Sequence, residues 1–157
     1  MKGPALVRVD DRLIHGQVVT AWVTALKCTN IVIVDDGVAN DSFLSEVVRM
    51  AAPASTTVTV LSQKQALDDT GVFSDALVLV KNPLVALGLK KAGIEFDRLI
   101  LGGMGASPGR KTVYRNISAS AAELSALKEL QDLGVECVFQ IVPGDKPHPF
   151  SKIGANR

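Results

Sequence analysis

The sequence predicts an α/β fold, a single domain built on an open, mostly parallel sheet with helices on both faces. Three observations carry that expectation. Short runs rich in Val, Ile and Leu alternate with segments of helical character along the whole chain. Most of those runs are continuous rather than in-out alternating, as strands covered on both faces are. The chain has 157 residues, enough for one core, and no interior linker divides it.

The elements follow in order. Strand-like runs fall at residues 5–9, 31–34, 57–61, 76–80, 98–101 and 136–141. A helix over 17–26 follows Gly16 and offers Val18, Val19, Trp22, Val23 and Leu26 as its buried face, with Trp22 packing into the core. Asp41 caps the next helix, apolar at Leu44, Val47, Val48 and Ala51 before Pro53 stops it. Ser62 caps a short helix over 63–67. Asn82 and Pro83 make an N-cap and first-turn pair, and Gly93 closes that helix. Ser120 and Glu123 have the spacing of a capping box, for a helix ending before Gly134. Residues 143–157 hold three of the seven prolines and are expected to form an irregular tail, with His148 exposed to solvent.

Composition removes several function classes. Seventeen basic against sixteen acidic residues leave a net charge of +1, which speaks against a dedicated nucleic-acid binder. Aromatic residues are only 4% of the chain, too few for stacking platforms. The apolar runs are far too short to span a bilayer, and charges occupy the place of a secretory signal's apolar core. Cys28 and Cys137 make neither a disulfide framework nor a metal knuckle and read as small apolar fillers. The expectation is a cytoplasmic protein with two free thiols. A homo-oligomer is left open, since no heptads or interface stripe can be read.

Right-handed crossovers bring the C-terminal loops of parallel strands to one edge, where ligands gather. The loops to interrogate are therefore 10–16, 35–40, 81–82 and 102–111. In the first, Asp10-Asp11-Arg12-Leu13-Ile14-His15-Gly16-Gln17 leads straight into an amphipathic helix. A helix N-terminus offers unpaired N–H groups and partial positive charge, which suits a phosphoryl group at Gly16 and Gln17. Gly16 permits close backbone approach or a positive φ. His15 is a nucleophile whose neutral form is available near neutral pH. Arg12 supplies planar donors for phosphoryl oxygens, and Asp10 can accept from an imidazole or loop N–H. The same residues also fit a plain cap and a dipole complement, so spacing alone leaves both readings standing.

The wider motif Val7-Arg-Val-Asp-Asp-Arg-Leu-Ile-His-Gly-Gln-Val18 resembles the active-site signature of IIB subunits of the mannose/fructose/sorbose family of the bacterial sugar phosphotransferase system. Ile31-Val-Ile-Val-Asp-Asp36, Val38-Ala-Asn-Asp41, Met50-Ala-Ala-Pro53, Lys81-Asn-Pro83 and Gly102-Gly-Met104 look like further landmarks in the same order. The resemblance covers roughly residues 5–143. It implies a phosphocarrier enzyme, a protein-N-phosphohistidine–sugar phosphotransferase, in which His15 carries the phosphoryl group on Nδ1. Arg12 is implied as the stabilising cation and Asp10 as the residue shaping the loop. The donor is implied to be a phosphohistidine on a IIA protein, here a separate chain. The acceptor is a sugar moved by membrane IIC and IID subunits, with which a cytoplasmic IIB associates peripherally. No metal or organic cofactor is implied. Two departures stand out: the small-residue run Gly105-Ala-Ser-Pro-Gly109 and the short C-terminal tail.

Other constellations carry less. Asp35-Asp36 either position loop amides or repel an off-target anion at the rim, or simply begin a solvated turn with Gly37. The glycine-rich 102–111 loop lacks the ending of a P-loop, and Ser107, Arg110 and Lys111 in it are candidate rim contacts to phosphate or partner. A receiver domain would share the Asp10-Asp11 pair, but Ser62 stands where its acceptor Asp belongs and Gly102 where its Lys belongs. A nucleotide- or small-anion-binding doubly wound module without covalent chemistry is the alternative function, and it leaves the His15 loop unexplained.

Overall fold

All the expected apolar runs become strands, and they line up in an order that reverses direction at the first. The computed structural model describes residues 2–154. The chain runs β1 (Leu6–Asp10), α1 (Gly16–Leu26), β2 (Asn30–Val34), α2 (Asp36–Ala39), α3 (Ser42–Ala51), β3 (Thr57–Leu61) and α4 (Gln63–Asp68). After a 3₁₀ turn at Thr70–Phe73 come β4 (Leu77–Val80), α5 (Pro83–Lys91), β5 (Arg98–Gly103) and the hairpin β6 (Lys111–Tyr114) and β7 (Ile117–Ala119). The chain ends with α6 (Ala121–Asp132), β8 (Glu136–Phe139), β9 (His148–Pro149) and α7 (Phe150–Gly154). Among the described residues, one seven-stranded sheet has the order β3-β2-β4-β1-β5-β8-β9, parallel except for β9.

Strand alternation sorts the side chains into two cores. Ile31, Ile33, Leu77, Leu79 and Ile100 pack with Val19, Trp22 and Val23 of α1. Val32, Val34, Val78, Val80, Leu99 and Leu101 pack on the other face with α5 and α6. The chain leaves β1 through α1 toward β2, whereas β5 leads the opposite way through α6 to β8. Helices therefore diverge above β1 and β5, the crevice where such sheets place their chemistry.

The capping signals are realised as hydrogen bonds. Asp41 accepts from the Phe43 and Leu44 amides, and Asn82 from those of Leu84 and Val85. Ser120 and Glu123 form the reciprocal box, and Ser62 forms a second one with Gln65. Gly93, at φ +98°, follows α5 as the left-handed exit its sequence position implies. Burial pushes the Cys137 thiol up to about 12, consistent with an inert filler.

Two features lie beyond what the sequence pattern states. The α3 face does not bury as its spacing suggests: only Ser45 is buried, and Leu44, Val47, Phe43 and Met50 are exposed. The edge strand β3 that follows it is itself only partly covered. The β6–β7 hairpin was not expected, because its strands are short and its turn is Arg115-Asn116, with Arg115 rather than a glycine at positive φ.

One expectation needs correction: within residues 143–157 the part 143–147 is irregular as expected, but 148–154 form a strand and a short helix, and 155–157 lie outside the described residues. His148 and Pro149 pair antiparallel with β8, and Phe150 is buried against Phe139. His148 is half-buried, stacked on Tyr114 with centroids 4.7 Å apart, rather than solvated. Three prolines do not prevent this, because an edge strand leaves one side of its backbone unpaired. We expect Phe150→Ala to cost about 3 kcal/mol, read as a lower urea midpoint, since it empties a filled core position. A tail without packing would show no change.

Candidate active site

The loop from β1 to α1 is closed by Asp10 and pinned by its own apolar residues. Asp10 Oδ1 accepts from the Arg12 amide at 3.0 Å, and the Asp10 carbonyl accepts from the Leu13 amide at 2.9 Å. Leu13 and Ile14 are buried under α1, so the loop cannot swing outward without exposing them. Leu13 holds φ +58°, a costly conformation for a branched side chain that persists only where surroundings fix it.

That fixed loop presents two side chains outward. His15 is the N-cap residue of α1, in extended conformation, and its side chain does not cap the helix. No acidic residue lies in the first turn of α1, and Gly16 follows at φ +46° with open space where a Cβ would be. The helix tip of Gly16 and Gln17 is thus left exposed to an incoming anion. The His15 side chain is 25% exposed, with Nε2 2.9 Å from Asp10 Oδ2. The Arg12 side chain is 58% exposed; its Nε lies 3.3 Å from Asp10 Oδ1, and among the described residues its terminal nitrogens have no hydrogen-bond partner.

Asp10 itself is fully buried. Burial alone would raise its pKa, but hydrogen bonds from Arg8, the Arg12 amide and His15 outweigh that and hold it below the ordinary carboxylate range. It is therefore an anion at neutral pH, able to keep the imidazole proton on Nε2 and the Nδ1 lone pair free.

The other expected rim residues take structural positions. Asp35 caps α2 through the Val38 amide at 3.0 Å and lies 3.5 Å from Lys81 Nζ. Asp36 accepts from the Gln63 amide at 2.7 Å, tying the ends of β2 and β3 together. Both accept from amides at helix starts, Asp35 in α2 and Asp36 at the start of α4. Ser107 sits exposed in a turn whose carbonyl accepts from the Arg110 amide.

Arg110, expected as a rim contact to phosphate, is instead spent on protein groups. It grips both oxygens of Glu123 at 2.9 and 2.7 Å, and its Nη1 reaches Asp11 Oδ2 and the Gly105 carbonyl. Asp11 also accepts from the Gly105 amide at 2.9 Å. The glycine-rich loop is thus clamped to the His15 loop. Burial would raise the Glu123 pKa, yet the bonds from Arg110 and the Ser120 amide leave it lowered overall. Its contribution to stability is therefore complete above the unfolded value of about 4.3 and is lost as pH falls through the lower folded value. We expect Glu123→Gln to cost about 2 kcal/mol at neutral pH, with the gap from the parent closing below about pH 4. A gap unchanged in acid would mean that the carboxylate charge is not what holds the clamp.

Sequence reasoning missed Arg8, Asp11, Glu123 and the Ile141 carbonyl as parts of this assembly. Arg8 had a signal: a charge flanked by Val7 and Val9 in a run read as fully buried, two residues before Asp10 and so on the same strand face. The others depend on contacts between distant loops, which no local pattern encodes.

An open parallel sheet carrying an outward histidine, with an anionic orienting partner and an uncapped helix tip, defines a domain suited to covalent phosphoryl carriage. Comparison with known proteins agrees. The family described as PTS system sorbose subfamily IIB component matches residues 4–157. The sorbose-specific EIIB component of Klebsiella pneumoniae is 35% identical over 144 residues, covering 89% of this chain and 88% of that protein. The solved IIBSor domain of the sorbose permease from Klebsiella pneumoniae superposes with TM-score 0.91 at 30% identity, over 98% of this chain and 97% of that one. The mannose-specific EIIAB component of Escherichia coli is 28% identical over 144 residues, 89% of this chain but 45% of that longer protein. The chain belongs to the sorbose-subfamily IIB components of the sugar phosphotransferase system. It is a phosphotransferase component acting in sugar uptake, and the reading as a noncovalent anion-binding module is not favoured.

Proposed function

We propose that His15 is the phosphoryl acceptor and that the group enters and leaves through Nδ1. The observation that carries this reading is the 2.9 Å contact between His15 Nε2 and the buried Asp10 anion, beside an uncapped helix tip. The Nδ1 lone pair attacks phosphorus on a donor phosphohistidine. The new P–N bond forms as the donor's P–N bond breaks, its electron pair returning to the donor imidazole. In the second transfer a sugar hydroxyl oxygen attacks the phosphorus, the His15 P–N bond breaks, and the hydroxyl proton passes to base or solvent. Arg12 and the Gly16 and Gln17 amides balance the charge spread over the moving PO₃ group.

The donor is a phosphorylated IIA protein, a relationship supported by the similarity of this chain to part of the mannose-specific EIIAB component of Escherichia coli. The second transfer takes place on sugar carried by membrane IIC and IID subunits, to which the protein binds from the cytoplasm. Among the described residues, no helix is long and apolar enough to cross a membrane. Neither transfer calls for a metal or organic cofactor. The deciding experiment mixes the protein with phosphorylated IIA. N-linked phosphate, lost in acid and kept in alkali, supports the reading; phosphate lost in alkali or to hydroxylamine marks an aspartyl acceptor and refutes it.

A further inference from the structure

The mechanism so far leaves unused one wholly buried cation. Arg8 has no exposed surface. It lies in the middle of β1, where alternation turns Val7 and Val9 into one core and Arg8 and Asp10 toward the α1 face. Its Nη1 donates to Asp10 Oδ2 at 2.7 Å, the same oxygen that meets His15 Nε2. Its Nη2 donates to the Ile141 carbonyl at 3.0 Å, which also accepts from Trp22 Nε1 at 2.9 Å. Among the described residues, Arg8 Nε has no hydrogen-bond partner.

Space for this arrangement comes from the neighbouring strand. A Cβ at Gly102 would fall on the Arg8 guanidinium carbon, and one at Gly103 would lie 2.6 Å from Asp10 Oδ1. The two glycines are vacancies that the Arg8–Asp10 pair fills. Burying an arginine with one donor unpaired is costly, and replacing a buried pair by apolar groups is often neutral or stabilising. Core packing alone is therefore a poor reason for a charge in this position.

We propose that Arg8 is a positioning residue that sets which nitrogen of His15 is nucleophilic. With Arg8 in place Asp10 stays ionised, accepts the Nε2 proton and leaves Nδ1 bare. Without it, the Asp10 carboxyl keeps only the Arg12 amide and Nε on Oδ1 to offset its burial, Oδ2 loses its cationic partner, and the group takes up a proton. A protonated Asp10 donates its O–H to Nε2, so the ring proton moves to Nδ1 and occupies the lone pair that attacks phosphorus. Arg8 thus acts on the reaction through Asp10 without touching the phosphoryl group, and this role rests on His15 being the acceptor.

The test reads the His15 ring nitrogens by NMR at a pH where the imidazole is neutral, and in parallel the rate of phosphorylation by a phosphorylated IIA domain. In the parent protein the proton sits on Nε2. Arg8→Met is expected to move it to Nδ1 and to slow phosphorylation about 10²-fold or more. Arg8→Lys, which keeps the charge, is expected to restore the Nε2 proton and most of the rate. Should Arg8→Met not fold, Gly102→Ala displaces the guanidinium without removing either charge and is expected to shift the tautomer the same way. A folded Arg8→Met or Gly102→Ala protein with the parent tautomer and rate overturns the proposal, even with phosphate mapped to His15. Absence of phosphate from His15 in the parent protein refutes the acceptor reading instead, and the tautomer comparison still reports on Arg8.

Discussion

A His15→Ala protein folds, keeps its partners' docking surface and accepts no phosphoryl group. The side chain is partly exposed, and its hydrogen bond to Asp10 is replaceable, since that carboxylate retains Arg8 and the Arg12 amide. The expected stability change is within about 1 kcal/mol, read from the urea midpoint. Transfer from phosphorylated IIA falls to background, because nothing else at the helix tip can form a P–N bond. Incorporation at a measurable fraction of the parent rate would remove His15 from the mechanism.

Arg12→Ala separates charge stabilisation from nucleophilicity. The imidazole of His15 stays in place, since Asp10, not Arg12, holds it. What is lost is a mostly exposed guanidinium that shares the Asp10 carboxylate with the imidazole. Removing a preorganised donor to a developing charge costs about 10²–10³-fold in rate. Arg12→Lys should recover only part of this, because an ammonium lacks the planar fork that spans two phosphoryl oxygens. The measurement is single-turnover phosphorylation at saturating donor, where binding cannot mask the chemical step. An unchanged rate constant for Arg12→Ala would leave Arg12 without a role in the transfer.

Much of this was legible in the chain itself because local rules and global fold agree. Continuous Val, Ile and Leu runs become parallel strands, and Asp41, Asn82, Ser62 and Ser120 all cap the helices they precede. The His15 loop was legible as well, since its residues are contiguous. What escaped depends on meetings between segments far apart in sequence. Arg110 looks like a free cation beside glycines, yet Asp11 and Glu123, 99 and 13 residues away, consume its donors. The C-terminal segment looks irregular from its prolines, yet Phe150 finds a slot beside Phe139 that only the assembled β8 edge creates. In α3 the apolar spacing is real, yet Leu44 and Val47 stay exposed and only Ser45 is buried, so periodicity alone does not say what covers a face.

The proposed transfer requires a covalent phosphoryl group on one imidazole nitrogen in the loop after β1. Peptide mapping by mass spectrometry, run without acid after mixing with phosphorylated IIA, addresses it directly. Phosphate confined to the peptide bearing His15, and assigned to Nδ1 by NMR, is the expected result. Phosphate on His148, on an aspartate, or on no residue while sugar is still phosphorylated would contradict it.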